Sequence, residues 1–451
     1  MKSEPWPVNY RQAEVSQVMA ALQAGDSCSI VGIGSAGKSN LLRFLGQDEV
    51  RQAYLGEAWA SFLFVYVDLN KILKRSAWGL YELMLHQLLL ELTRGGAEEV
   101  VLQTIDDLHQ RAAGQKTRSL ALRYLDRGLN LACNRLDLRL VFLFDEFDEL
   151  GRKMSPRGFA ALRALRDDYK YRLMYLAATR MALKDLRSEI AEIEAFEELV
   201  SPRTVWLGPY SAADANFMLD RLSARHQITL AEKIRAEILA AAGGHPGLLR
   251  AGYAMAITGQ ADFFERLAGS PQVQDECQRI WFSLPQEEQE ALVGLAGGTG
   301  PRPQQQEIVE RLRRKGLAGG PWAGEAQIFS ALFAAYIKGQ QPIVGAQIHV
   351  DHRRRLLLVN GRRVAGLAPL EYNLIAYLVE RRGQVCTRDE LAQYLYPDDM
   401  LLEGEGVSEN RLDSVIKRLR RQIERDPKAP RYLITVRGHG FMLQDGPEVK
   451  G

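Results

Sequence analysis

Gly32-Ile33-Gly34-Ser35-Ala36-Gly37-Lys38-Ser39 is the stretch on which the fold turns, and it fits G-x-x-x-x-G-K-[ST] without a mismatch. Its flanks agree with the motif. Ser27-Cys28-Ser29-Ile30-Val31 reads as a short buried strand, and Asn40-Leu41-Leu42-Arg43-Phe44-Leu45 as the opening turns of a helix with one apolar face. The glycines let backbone N–H groups face phosphate oxygens, and the helix N-terminus adds partial positive charge. The predicted cradle is Gly32, Gly34, Ser35, Ala36, Gly37, Lys38, Ser39 and Asn40. Lys38 is placed to reach the β- and γ-phosphates of a nucleotide, and the Ser39 hydroxyl to ligate Mg²⁺.

Downstream, Leu140-Val141-Phe142-Leu143-Phe144-Asp145-Glu146 is an apolar run ending in two carboxylates, the Walker B pattern. A buried parallel strand would deliver Asp145 beside the Mg²⁺ and Glu146 where a general base orients water toward the γ-phosphate. With Lys38 these two form the expected catalytic set of an ATPase, and Ser39 with Asp145 the expected metal ligands. Asp148 and Glu149 read as a solvated helix start. Further strands are expected at Phe62–Val67, Arg172–Ala178 and Thr204–Leu207, with helical patterns over 77–93, 98–135 and 211–240. Ligands of open α/β sheets bind at strand C-termini, so Thr179 or Arg180 could sense the γ-phosphate.

Length, charge and cysteines limit the alternatives. A chain of 451 residues suits about three domains, and a formal charge of +2 announces no global field for nucleic acid, so any basic surface must be local. Cys28, Cys133, Cys277 and Cys386 form no CxxC pair, which argues against a disulfide framework or zinc site and fits a reducing cytosol. Met1–Pro7 lacks the apolar core of a signal peptide, and no apolar run is long enough for a membrane span. The expected location is cytoplasmic.

The lead-in Tyr10-Arg11 with Glu14, the P-loop, Asp145-Glu146, Thr179-Arg180 and the turn Gly243-Gly244-His245-Pro246 together resemble the STAND class of P-loop ATPases, relatives of the AAA+ initiator-type ATPases, over roughly residues 8–340. The resemblance implies ATP or ADP as ligand, with Pro246 and Arg11 flanking the adenine. His245 either approaches the phosphates or is bonded locally. Arg180 follows Thr179 directly, a departure from the usual spacing. In initiator-like relatives an arginine before the Pro-Tyr-Ser element reaches a neighbouring subunit's ATP, and Arg203 sits at that place, implying a homo-oligomer in the ATP state.

Residues 273–338 change to short helices with a Gly/Pro-rich wing at 318–324, resembling the winged-helix module that follows such cores. Arg311, Arg313, Arg314 and Lys315 are either DNA contacts there or the solvated face of a lid-packing module. After a linker, short strands at 347–350, 356–359 and 362–364 with an Asn360-Gly361 turn lead to three helices and a final hairpin. The third helix, Ser408 to Arg425, carries an apolar face of Leu412, Val415, Ile416, Leu419 and Ile423 and a basic face of Arg411, Ser414, Arg418, Arg421 and Arg425.

Leu367-Ala368-Pro369-Leu370-Glu371-Tyr372, the Lys417-to-Arg421 run and Thr435-Val436-Arg437-Gly438-His439-Gly440-Phe441 closely resemble the OmpR/PhoB-type winged-helix DNA-binding domain. That resemblance implies double-stranded DNA as partner. The third helix enters the major groove, where Arg411, Ser414, Lys417, Arg418 and Arg421 share bases and phosphates, and Arg437 approaches the minor groove from the wing. Phe441 stands where the family usually has tyrosine, which removes a phosphate hydrogen bond.

The expected fold class is α/β: a P-loop ATPase core with a parallel sheet (1–210), a helical lid (211–272), a first winged-helix domain (273–338), a linker (339–346), an OmpR/PhoB-type winged helix (347–445) and a tail (446–451). The expected function is an ATP-dependent transcription regulator, with RNA polymerase or a recruited DNA enzyme as a further partner. An initiator- or transposition-type ATPase that assembles on DNA and recruits another enzyme shares every motif.

Overall fold

The computed structural model describes residues 5–72, 76–114, 117–187, 191, 193–257, 263–298, 306–319, 328–339, 348–351, 356–359, 362–364, 366–396, 409–424, 426–427, 429–436 and 438–444. The chain divides into two compact units, Met1–Lys338 and Gly339–Gly451.

The first unit is built on five parallel strands: β1 (Cys28–Gly32), β2 (Phe62–Asp68), β3 (Arg139–Asp145), β4 (Leu173–Thr179) and β5 (Thr204–Leu207), in the order β2-β3-β4-β1-β5. β1 and β4 are buried along their whole length, as expected for strands covered on both faces. Alternate residues feed two cores: Val141 and Leu143 join one, Phe142 and Phe144 the other. Because β4 lies between β1 and β3, the C-terminal ends of the P-loop strand, the Thr179 strand and the Asp145 strand come together.

The helical stretch expected over 98–135 is divided into Glu99–Gly114 and Arg118–Asn130, followed by a wide turn at Leu131–Arg135. The helical stretch expected over 211–240 is divided as well, into Ala212–His226 and Glu232–Ala242, where Gln227 adopts a left-handed conformation and ends the first helix. A third helix, Pro246–Ala256, starts with proline at its first position and His245 as N-cap.

Helices Pro271–Phe282, Gln286–Ala296 and Gln306–Arg314 follow, then an antiparallel bridge between Ala318 and Ile328 and the helix Ala331–Gly339. Lys315 is buried, with Nζ 2.7 Å from both oxygens of buried Glu288, so it ties two helices together and is withdrawn from any DNA-facing role. Arg311 pairs with Glu287, and Arg313 and Arg314 with Glu310, a solvated face of matched charges.

The second unit begins with an antiparallel sheet of β6 (Ile348–Asp351), β7 (Leu356–Val359) and β8 (Arg362–Arg363). Helices Pro369–Glu380, Arg388–Leu395 and Glu409–Ile423 pack around one core, and β10 (Leu433–Val436) pairs with β11 (Gly440–Leu443). Thr387 and Glu390 form the reciprocal cap of the middle helix. A two-residue strand, β9 (Val385–Cys386), joins the hairpin, which the sequence pattern did not mark. Its register brings Gly440, at φ +141°, so close to Cys386 that a Cβ would stand 2.1 Å from the Cys386 carbonyl oxygen. Among the described residues no helix is long and apolar enough to cross a membrane.

Candidate functional site

The P-loop turns through two left-handed residues, Ser35 (φ 57°) and Gly37 (φ 94°), and Lys38 opens the helix Lys38–Leu45. The Lys38 ammonium folds inward and donates to Gly32 O (2.7 Å) and Ile33 O (3.2 Å). Burial pushes its pKa below the ordinary value, and the carboxylates of Asp148, Glu146 and Asp145 oppose that shift. Ser39 is partly exposed beside it and Asn40 exposed.

Two further side chains hold loop carbonyls. Arg11, left-handed at φ 47° and buried, donates through Nη2 to Ala36 O and Gly208 O, each at 2.9 Å, while Nη1 meets Glu14 at 2.9 Å. Its guanidinium also lies 4.5 Å from the Tyr210 ring centroid, so Arg11 is a brace between lead-in and loop. An open cavity of about 1010 Å³ adjoins that brace, walled in part by Asn9, Tyr210, Asp214, Phe217 and Arg313. Pro246 packs on the loop itself, its Cγ 3.9 Å from where a Cβ on Gly37 would stand.

His245 is bonded locally. One ring nitrogen, Nε2, lies 3.0 Å from Gly34 O, and the other, Nδ1, accepts from Leu248 N–H at 3.4 Å. Those contacts require the neutral ring with its proton on Nε2. Burial lowers the His245 pKa from 6.5 to about 4, which agrees.

On β3, Asp145 is buried and takes two hydrogen bonds: Tyr66 Oη donates to Oδ2 at 2.5 Å and the Glu146 N–H to Oδ1 at 3.1 Å. Burial first, then the bond to Asp145, push the Tyr66 phenol well above its ordinary pKa, so it keeps its proton and donates. Glu146 is left-handed (φ 55°), starts the helix Phe147–Lys153 and receives Arg180 Nη2 on Oε2 at 3.0 Å. Glu149 is paired at the surface with Arg152 and Lys153.

Asp148 corrects the expectation of a solvated residue. It is buried, its Oδ1 accepts the Arg180 N–H at 2.9 Å, and its Oδ2 is buried without a partner. Its spacing, three residues after Asp145, returns it to the site on the first helical turn. Thr179 Oγ1, at the end of β4, is likewise buried without a partner. Orphaned buried polar atoms are costly. Two of them beside Lys38, Asp145 and Glu146 fit a site completed by a bound polar group. The donor set suits Mg²⁺ carried by a nucleotide, which needs one carboxylate, a hydroxyl such as that of Ser39, and phosphate oxygens. The residues present fit Mg²⁺ and ATP.

The helix Pro271–Phe282 approaches the loop at Gly34, a feature no motif signalled. A Cβ on Gly34 would stand 3.3 Å from Arg279 O, and one on Gly247 only 2.4 Å from Glu276 Oε2 and 3.0 Å from Ser35 Cβ. Glu276 Oε1 accepts from Arg279 Nη1 at 2.7 Å, while Oε2 is buried without a partner.

Arg203 stands just before β5, at the end of the sheet opposite the P-loop, exposed and 3.2 Å from Asp26 Oδ2. It cannot reach the loop of its own chain.

In the second unit, the helix Glu409–Ile423 buries Leu412, Val415, Ile416, Leu419 and Ile423 and exposes Arg411, Ser414, Lys417, Arg418 and Arg421. Within that exposed set Arg418 is also tied down, Nε donating to buried Glu371 at 2.8 Å, and the Arg411 guanidinium lies 4.7 Å from the Tyr396 ring centroid. Arg420 is framework, donating to Leu433 O and to Thr435 Oγ1 at 2.8 Å. Glu424 caps the hairpin by accepting N–H groups of Arg431, Tyr432 and Leu433. Phe441 is buried beneath the Arg388 guanidinium, so packing is kept without the tyrosine hydroxyl. Arg425 and Arg437 lie outside the described residues.

Residues 362–443 match the family model described as "Transcriptional regulatory protein, C terminal". The sensory transduction protein RegX3 of Mycolicibacterium smegmatis is 36% identical over 97 residues, which are 22% of this chain and 40% of that protein. The RstA DNA-binding domain of Klebsiella pneumoniae, solved in complex with its RstA box, is 22% identical over 22% of this chain and 93% of its own, with a TM-score of 0.19. A Walker-type ATPase of Pyrococcus abyssi is similar over 73% of this chain and 95% of its own, at 18% identity and a TM-score of 0.47. The C-terminal unit therefore contains a transcription-regulator domain of the OmpR/PhoB type. The aligned segment spans less than half the length of the curated relatives it matches.

Proposed function

We propose that this protein is an ATP-controlled, DNA-binding transcription regulator, in which nucleotide state at the P-loop sets how the winged helices are presented to an operator. The observation that carries the reading is the close approach of the helix Pro271–Phe282 to Gly34, where a Cβ would stand 3.3 Å from Arg279 O. Phosphates bound along the loop would compete with that approach, so ATP would favour an arrangement in which the helix has moved off Gly34. Displacing the helix moves the segment 273–338, the proposed first winged-helix domain. A ligand shifts such an equilibrium only through its different affinity for the two arrangements, and that competition would supply the difference.

Gly32, Gly34, Ser35, Ala36, Gly37 and Asn40 would line the phosphates, Lys38 would turn from its carbonyls to the β- and γ-oxygens, and Arg11 and Pro246 would flank the base. Ser39 and Asp145 would hold Mg²⁺, which when bound neutralises phosphate charge. Thr179, whose buried hydroxyl has no partner, would sense the γ-phosphate. Glu146 is the general base once Arg180 releases it, so the ion pair of 3.0 Å keeps the base occupied until a nucleotide draws the arginine away. Arg203, exposed at the far end of the sheet, would complete the site of a neighbouring copy, making ATP a glue for a homo-oligomer.

Arg411, Ser414, Lys417, Arg418 and Arg421, with Arg437 from the wing, would meet double-stranded DNA. Several tethered winged helices bind with an avidity that one lacks, which links assembly to operator affinity. The test is DNA binding across a range of ATP concentrations. Lys38→Ala should bind a fragment of the protein's own upstream DNA with an affinity that no longer responds to ATP. A Lys38→Ala protein that matched wild type at every ATP level would reject the switch and leave the recruitment ATPase as the better reading.

A further inference from the structure

Tyr66 lies two residues before the end of β2, and its backbone is in register with Leu143 of β3. Side chains alternate along a strand, so Tyr66, Leu143 and Asp145 share one face of the sheet. The phenol therefore runs along that face and reaches the carboxylate at the strand end. Its hydroxyl donates to Asp145 Oδ2 at 2.5 Å and accepts from Arg43 Nη2 at 2.8 Å, while the Arg43 guanidinium lies 4.8 Å from the ring centroid. Arg43 belongs to the P-loop helix, one turn beyond Ser39 and on the same side of it. A single side chain thus joins the helix that carries Ser39 to the strand that carries Asp145.

The consequence is orientational. A carboxylate offers about four lone-pair sites. Tyr66 occupies one on Oδ2 and the Glu146 N–H one on Oδ1, which fixes the plane of the Asp145 carboxylate and leaves the remaining lone pairs in a defined direction. Nothing else among the hydrogen bonds of the described residues holds Oδ2. We propose that Tyr66, clamped by Arg43, is a positioning residue that sets the Asp145 carboxylate for Mg²⁺, and through the Oδ1 bond keeps the Glu146 backbone in place. The inference rests on the nucleotide reading of the P-loop. It adds that metal affinity and nucleotide affinity are separately set in this chain, the first by Tyr66 and Arg43 and the second by the loop.

The test titrates the full-length protein with N-methylanthraniloyl-ATP, once in excess EDTA and once with increasing Mg²⁺. Tyr66→Phe keeps the ring and its packing and removes the hydroxyl. Partners that orient a metal ligand typically change metal affinity by about 10–100-fold. The Mg²⁺ concentration for half-maximal effect should therefore rise by about 10-fold in Tyr66→Phe, with affinity in EDTA unchanged from wild type. Arg43→Gln, which loses the clamp and keeps the hydroxyl, should shift the Mg²⁺ requirement in the same direction by less. In an Asp145→Asn background, Tyr66→Phe should add nothing. A Mg²⁺ requirement within twofold of wild type in Tyr66→Phe overturns the inference, and so does an equal loss of affinity in EDTA and in Mg²⁺. A wild-type protein that binds the probe in neither medium overturns the nucleotide reading and this inference with it.

Discussion

Lowering the pH from 7.5 to 5 should loosen the first unit through one residue, His245. Its ring is 1% exposed, and both nitrogens are committed in the neutral form, Nε2 to Gly34 O and Nδ1 to the Leu248 N–H. Protonating Nδ1 would set two N–H groups against each other and put a cation near Arg11, Lys38 and Arg250. The folded pKa, about 4, is below the unfolded value of 6.5, so the neutral ring contributes stability that is present above pH 6.5 and lost as pH falls toward 4. The full loss is about 3 kcal/mol, of which about 2 kcal/mol has gone by pH 5. All six tryptophans lie before residue 338, so their fluorescence in urea titrations of the full chain reports the first unit alone. His245→Asn keeps an N-cap acceptor and removes the titration. Wild type should lose about 2 kcal/mol more than the variant between the two pH values. Equal losses in both proteins would refute the assignment of a neutral, loop-bonded ring.

Three other outcomes follow from single contacts. Glu288→Gln leaves the Lys315 ammonium buried without its counter-charge, and the same fluorescence assay should report a loss of about 3–5 kcal/mol. Glu276→Gln removes a negative charge seated against Gly247, next to the loop, and titration with labelled ATP should show tighter binding, by about tenfold if the change is worth about 1.4 kcal/mol. Lys417→Ala removes one exposed cation from the helix Glu409–Ile423, and the slope of log affinity against log salt for DNA should fall by about one, with little change in sequence preference.

Much of the fold was legible because parallel strands buried on both faces read as apolar runs, and each ends in a residue of distinct chemistry: Gly32, Asp145, Thr179. The P-loop and the winged-helix elements were legible for the same kind of reason, local pattern with local cause. What escaped was set by tertiary packing. Asp148 looked like any acidic residue at a helix start, yet the end of β4 folds over it and supplies the Arg180 N–H. Tyr66 sat inside an apolar strand, and only the β2–β3 register shows that its hydroxyl meets Asp145. Lys315 belonged to a basic run in sequence and to a buried ion pair in space. The contacts of Arg279 with Gly34 and of Glu276 with Gly247 join residues apart in the chain, and no short-range periodicity could announce them.

The central claim is that ATP changes what this protein presents to DNA. Light scattering on wild type and Glu146→Gln, with ADP or with ATP and Mg²⁺, with and without a fragment of the protein's own upstream DNA, tests it most directly. A larger species is expected with ATP, persistent in Glu146→Gln and tight on the fragment. A single mass in both nucleotides, with equal DNA binding, would contradict it.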